Sequence, residues 1–267
     1  MDLNEKRSLG KTGLLVGRLG VASGYGASAE AYEMAFERGC NYFYWSSPRK
    51  PGMGEAIRNI CRQGKRDELV IVLQSYSRSA RLMEYFFTKG LKDIGLDSVD
   101  VLLLGWHNSA PWKRIMARAR QMQEKGMFRH LALSGHNRGL FPELASQGSF
   151  DLFHLRYNAA HRGAEREIFA KLDPPQRPGL VSYTATRWGH LINPKKVPPG
   201  EAPLTSSDCY RFVLSNPAVD VCMCGPADVG EMAAALHTLD AGPLDETEMA
   251  RVKSIGDYVH QHSGKFW

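Results

Sequence analysis

Tyr44 lies one residue before the end of the stretch Asn41-Tyr42-Phe43-Tyr44-Trp45, and Arg49 follows five residues later. A phenol beside a fixed cation is a candidate proton donor, because a nearby positive charge favours the phenolate and so raises acidity. His107 lies just past another apolar run, Val99 to Leu104, where an imidazole can exchange a proton near neutral pH. Trp106, His107, Asn108, Ser134, His136, Asn137, His154, Tyr157 and Asn158 all fall at or just beyond the ends of apolar runs. A pocket built from them would be rich in imidazole and amide groups. No carboxylate and no His-x-His spacing accompanies them, so hydrogen bonding is expected there and no metal. Each of Tyr44 and His107 also has a plain alternative, a ring that merely fills a loop layer.

Two further features concern anionic ligands. Gly225-Pro226-Ala227-Asp228 precedes a helical pattern, and the free amides of a helix start can hold a phosphate. Asp228 reads equally well as the N-cap of that helix. Arg187 either meets a pyrophosphate or is solvated. The glycines Gly20, Gly24 and Gly26 do not form G-x-G-x-x-G, and no acidic residue ends the second apolar run, which argues against a doubly wound dinucleotide-binding sheet.

The elements that must position these residues alternate regularly. Short apolar runs occupy Leu19 to Ala22, Tyr42 to Trp45, Leu69 to Leu73, Val99 to Leu104, His130 to Leu133, Leu152 to Leu155, Gly179 to Tyr183 and Val219 to Met223. Helix-like stretches separate them: Ser28 to Arg38, Gly54 to Gln63, Ser79 to Ile94, Pro111 to Lys125, Phe141 to Gln147, Ala164 to Leu172, Ser206 to Leu214 and Val229 to Leu239. Continuous apolar runs are the mark of parallel strands covered on both faces. Eight such units predict an α/β fold, a closed (β/α)8 TIM barrel, with every βα loop at one mouth. Turn signals at Leu9-Gly10-Lys11-Thr12-Gly13 place an N-terminal hairpin before it, and Asp245 to His260 adds a helix after it.

With 267 residues and 43% hydrophobic content, the chain suffices for one domain spanning residues 1–267. No apolar leader and no run of about 18 apolar residues is present, so a cytoplasmic protein with no membrane partner is expected. The net charge of +6 is spread along the chain without a block, so no nucleic-acid partner is expected. Cysteines at 40, 61, 209, 222 and 224 form neither CxxC pairs nor zinc spacings, and Cys222 and Cys224 read as buried small hydrophobes on one strand face.

In order and spacing, several segments together resemble the aldo-keto reductase family over nearly the whole chain. These are Arg7 to Gly20, Gly126 to Ser134, Tyr157-Asn158, Ser182-Tyr183, and Ser215 to Val221 followed by Gly225. The resemblance implies carbonyl reduction by NADPH or NADH, with an Asp, Tyr, Lys and His at the barrel mouth acting as the proton relay. Matched residue by residue, Tyr44 stands at the Asp, Arg49 at the Tyr, Gln74 at the Lys and Gly105 at the His. All four depart. A guanidinium is no general acid at neutral pH, and an uncharged amide cannot depress a neighbouring phenol's pKa. Tyr44, Arg49, Gln74 and His107 are therefore the expected lining of a remodelled reacting centre.

On the cofactor side the resemblance implies that Tyr183 stacks on the nicotinamide and Ser134 binds its carboxamide. Gly135 and His154 replace the Asn and Gln that share that task. Arg187, Gly225 and Asp228 are the candidate phosphate contacts, although Asp228 would repel a 2′-phosphate, and Ala234-Ala235 replace the pair that holds the adenine. Three readings follow: a reductase of this type with a rebuilt site acting on a small carbonyl compound, a barrel retired from hydride chemistry that binds a ligand or regulates, and a lyase or isomerase using the His-rich mouth.

Overall fold

The eight expected strands close on themselves. A computed structural model describes residues 2–46, 49–173 and 175–262. A short hairpin, β1 (Arg7–Ser8) and β2 (Leu15–Val16), comes first. Then follow β3 (Leu19–Ala22), α1 (Ala29–Glu37), β4 (Tyr42–Trp45), α2 (Gly52–Arg62), β5 (Val70–Ser75), α3 (Ala80–Ile94), β6 (Val99–Leu104) and α4 (Lys113–Glu124). The second half runs β7 (Phe128–Ser134), α5 (Leu140–Ser146), β8 (Leu152–Arg156), α6 (Ala164–Glu167), β9 (Gly179–Tyr183), α7 (Ser206–Leu214), β10 (Val221–Cys224), α8 (Val229–Ala241) and α9 (Glu246–His262). The barrel runs β3 through β10 in sequence order, and β10 closes it by pairing in parallel with both β9 and β3.

Local chemistry sets the boundaries. The Ser79 hydroxyl accepts from the Leu82 amide to start α3, and Gly95 ends that helix in the left-handed region at φ 75°. Thr205 and Asp208 form a capping box on α7. The expected helix Ala164 to Leu172 is shorter than its pattern. Ile168 leaves helical geometry at φ −124° and buries its side chain completely, so α6 passes into a single 3-10 turn, Phe169–Lys171.

Two apolar layers hold the barrel. Inside it, Tyr42, Val70, Val72, Val101, Leu103, Ala132, Leu152, Val181, Val221 and Met223 interdigitate, and Leu9 and Val16 of the hairpin segment plug the N-terminal end. Outside it, side chains such as Phe43, Leu102, Leu131 and Phe153 meet the helices, and Cys222 and Cys224 are buried in that layer as expected. Each buried Val, Leu or Phe contributes roughly 1.5–3 kcal/mol. Among the described residues no helix is long and apolar enough to cross a membrane.

Charge is buried at the closed end. Fully buried Asp220 accepts two hydrogen bonds from Arg177 at 2.7 Å and one from the Leu180 amide at 2.9 Å, and Arg7 lies 3.2 Å away. Fully buried Asp100 meets Arg66 at 3.1 Å, Arg129, and the Ile71 amide at 2.7 Å. Removing one partner of a buried pair strands the other charge. Asp220→Asn is expected to lower unfolding stability by about 3–5 kcal/mol in urea denaturation; a loss below about 1 kcal/mol would show that the pair carries no structural weight.

Candidate active site

A cavity of about 800 Å³ opens at the C-terminal ends of the strands, where barrels of this type place their chemistry. His154, Tyr44, Leu103 and Met223 contribute to its floor, and Ser134, His136 and Tyr183 to its walls. Tyr25, Tyr76, Trp106 and Trp188 also line it, and each is more than half exposed, which gives the mouth an aromatic rim.

Backbone strain collects at the same place. Every non-glycine residue with positive φ among those described is there: Trp106 at 56°, Thr184 at 59°, Arg187 at 51° and Trp188 at 51°. Such conformations cost of order 1–3 kcal/mol each and persist only where neighbours over-determine them. The neighbours are visible. The Trp106 amide donates to Ser134 Oγ at 3.0 Å and the His107 amide to the Ser134 carbonyl at 2.7 Å. The Asn158 amide group donates to the Thr184 carbonyl at 2.8 Å.

Across the barrel interior, the Tyr42 hydroxyl and His154 Nε2 are 2.7 Å apart. Complete burial brings His154 down to about 3, so its imidazole is neutral, and its Nε2 shares a hydrogen bond with the Tyr42 hydroxyl whose direction follows the ring's tautomer. Burial also lifts the Tyr42 and Tyr44 phenols well above their ordinary value, and neighbouring Tyr76 raises Tyr44 further. The Tyr44 hydroxyl donates to Gln74 Oε1. At Gly105 an added Cβ would sit 2.6 Å from the Tyr76 ring, so that ring fills the space a side chain at 105 would need. The floor is thus a neutral network of two phenols, an amide and an imidazole.

Of the candidate residues, Tyr44, Ser134, His154, Tyr183 and Gly225 line the cavity, as do Trp106 and His136. Gln74 reaches it only through Tyr44. Arg49 is exposed and is not among the described residues that line the cavity. His107 also lies off the wall: it is buried, its backbone is tied to Ser134, and burial and the nearby Arg78 charge lower its pKa to about 4. Its imidazole therefore does not swing over the mouth. Arg187 is buried behind the loop after β9 and not solvated, and Tyr157 points away from the cavity to donate to Glu165 at 2.6 Å. Asp228 is the N-cap of α8, accepting from the Glu231 amide at 2.8 Å. Sequence reasoning missed Tyr25, Tyr76, Trp188 and Tyr210. Tyr76 directly follows the last residue of β5, a position that signals the mouth.

Among solved structures, the chain is similar to the aldo-keto reductase AKR11C1 from Bacillus halodurans in its holo form, with a TM-score of 0.75 and 16% identity, covering 94% of this chain and 96% of that one. The apo form of the same protein gives a TM-score of 0.73 at 16% identity, covering 94% of this chain and 95% of that one. At that identity the likeness is one of fold: the aldo-keto reductase barrel. No protein-family model matches the chain, and no curated protein sequence does.

The neutral His154 has a pH consequence. Its folded-state pKa lies below the unfolded value near 6.5, so the unfolded chain binds the extra proton between about 6.5 and 3. Stability is fully present above about 6.5 and falls as pH drops through that window. Replacing His154 with Gln should flatten the slope of unfolding free energy between pH 6.5 and 5 by up to about 1.4 kcal/mol per pH unit. Urea midpoints at three pH values in that range measure it, and an unchanged slope would assign the acid sensitivity elsewhere.

Proposed function

We propose that the protein is an oxidoreductase of the aldo-keto reductase type, reducing a small carbonyl compound with a nicotinamide dinucleotide at a rebuilt site. The observation that carries this reading is the presence of the Tyr183 ring and the Ser134 hydroxyl on the walls of one cavity. These are the aromatic and hydroxyl groups that a nicotinamide ring needs, and the Tyr183 hydroxyl, 3.3 Å from both the Gly135 carbonyl and His136 Nδ1, fixes the ring's edge.

The residues at the phosphate end fit less well. The Ala227 amide is taken by the Glu231 carboxylate at 2.8 Å, the Glu231 amide by Asp228, and an added Cβ at Gly225 would meet the Tyr25 ring at 2.4 Å. Two carboxylates at the start of α8 disfavour a further dianion by about 1 kcal/mol per close charge pair. The reading therefore favours NADH over NADPH. Titration followed by tryptophan quenching, with Trp106 and Trp188 at the rim, should give a preference for NADH of roughly tenfold. Asp228→Asn, which keeps a cap but removes a charge, should narrow it. Failure of both cofactors to bind at millimolar concentration sinks the proposal.

When bound, the cofactor supplies a hydride to the carbonyl carbon. The chain must hold the carbonyl oxygen and deliver its proton. Tyr44 and Tyr76 are the hydroxyls placed for this, and with no cation to lower the Tyr44 phenol it acts through hydrogen bonding with slow proton delivery. Tyr44→Phe is expected to lower kcat roughly 100-fold or more on whichever aldehyde or ketone is turned over. A rate unchanged in Tyr44→Phe and lost in Tyr76→Phe would move the role to Tyr76.

The same neutral floor favours a second reading, a barrel that binds ligand without hydride transfer. Cofactor or ligand binding with no turnover across a panel of aldehydes and ketones would select it.

A further inference from the structure

Beside the main cavity, and sharing His136 with it, lies a small cavity of about 10 Å³ lined by Gly135, Arg138, Phe141, Leu155 and Arg156 among others. We propose that Arg156 forms an anion subsite there, taking a group the size of a carboxylate or halide, either the charged end of the molecule in the main cavity or a free ion.

Arg156 ends β8, two residues beyond His154 and in register with Tyr183 of β9. Its Nη1 is buried and has no hydrogen-bond partner among the described residues. Among the described residues no carboxylate pairs with it, whereas other cations of the neighbouring loops are paired: Arg138 with Glu167 at 2.9 Å, Arg162 with Asp257 at 2.7 Å and Arg166 with Glu167 at 3.7 Å. Nearby, His161 is nine-tenths buried, its Nε2 also lacks a partner, and its ring packs against His260 at 5.2 Å. Of the charges that act on His161, that of Arg156 is felt most strongly, followed by that of Arg187. The other acid on this turn, Glu165, is engaged by the Tyr157 hydroxyl at 2.6 Å.

The buried end of the half-buried Arg156 guanidinium lacks a partner, and an arriving anion offsets the cost of that burial. Burial and the Arg138 charge lower the Arg156 pKa, and burial with the surrounding cations brings His161 down to about 3; both are marks of positive potential without its counter-charge. An N–H of the guanidinium donates a charge-assisted hydrogen bond to either kind of guest. The cavity volume, close to that of one water-sized guest, takes one halide ion or one oxygen of a carboxylate whose other atoms stay outside it. The shared His136 wall would let a carboxylate enter from a ligand already in the main cavity.

The inference needs the main cavity to be a binding site only where the anion is carried by a ligand, and it does not depend on hydride chemistry. Its test uses the full chain without cofactor: histidine NMR spectra recorded while sodium acetate or sodium chloride is added. His136 and His161 resonances should shift saturably in the millimolar range with at least one salt, and Arg156→Gln should weaken that response about tenfold or more. Tighter acetate binding assigns a ligand carboxylate, and tighter chloride binding a free halide. Because no partner is lost, Arg156→Gln should unfold at the same temperature as the unsubstituted protein, or higher. If that variant does not fold, Arg156→Lys, which keeps the charge but loses the fork, should bind acetate several-fold more weakly. A linear response in the unsubstituted protein, or an unchanged midpoint in the variant that folds, overturns the subsite. Neither result bears on cofactor binding, so the reductase reading stands or falls separately.

Discussion

The hydrogen bond between Tyr42 and His154 crosses the inside of the barrel and sets the terms for everything above it. Both side chains are almost wholly out of water, and in so poor a solvent for charge each group takes its neutral form. The Tyr44 hydroxyl and Gln74 extend the same neutral layer one step toward the mouth. Among the described residues no cation acts on either phenol. Whatever chemistry the cavity performs must work with hydrogen-bond donors and not with an acid of depressed pKa.

The opposite end of the barrel is treated in the reverse way. Asp100 and Asp220 are fully buried, and arginines and strand amides satisfy their oxygens. Those ion pairs clamp the starts of β5, β6, β9 and β10, which fixes strand register and so the heights at which Tyr44, Ser134, His154 and Tyr183 emerge. Charge at the closed end serves stability, and neutrality at the open end shapes the cavity. The division follows the barrel's general separation of stability and chemistry.

How much of this was readable from residues depended on what each kind of element encodes. The barrel strands were legible because parallel strands covered on both faces read as unbroken apolar runs, and Tyr44, Ser134, His154 and Tyr183 reach the cavity because period-two alternation fixes their face. Loop residues follow no such period. Matching to the resembled family puts Arg49 at the reacting centre, and position past a strand end puts His107 over the mouth and Arg187 at a pyrophosphate or in solvent; the loops leave Arg49 exposed and bury the other two. Trp106 shows why: its positive φ reverses the chain direction just before His107, a conformation that no sequence rule assigns to tryptophan. Tyr25, Tyr76 and Trp188 of the aromatic rim were missed for the same reason, since an aromatic residue in a loop after a strand reads as easily as core as it does as mouth.

Gly105 and Gly225 carry the last step. Each is a strand-end glycine on which a tyrosine from a neighbouring loop rests so closely that an added Cβ would lie 2.6 Å from the Tyr76 ring in one case and 2.4 Å from the Tyr25 ring in the other. Loss of a side chain at 105 on its own would have left a gap beside Tyr44, and such a gap forfeits contacts on every atom that lines it. The gap is filled instead, by the Tyr76 ring. Glycine at 105 and Tyr76 just past β5 are therefore one packing arrangement, because the ring needs the space that a side chain at 105 would take. The same ring lines the cavity, so the residue that completes the packing at this strand end also shapes the mouth.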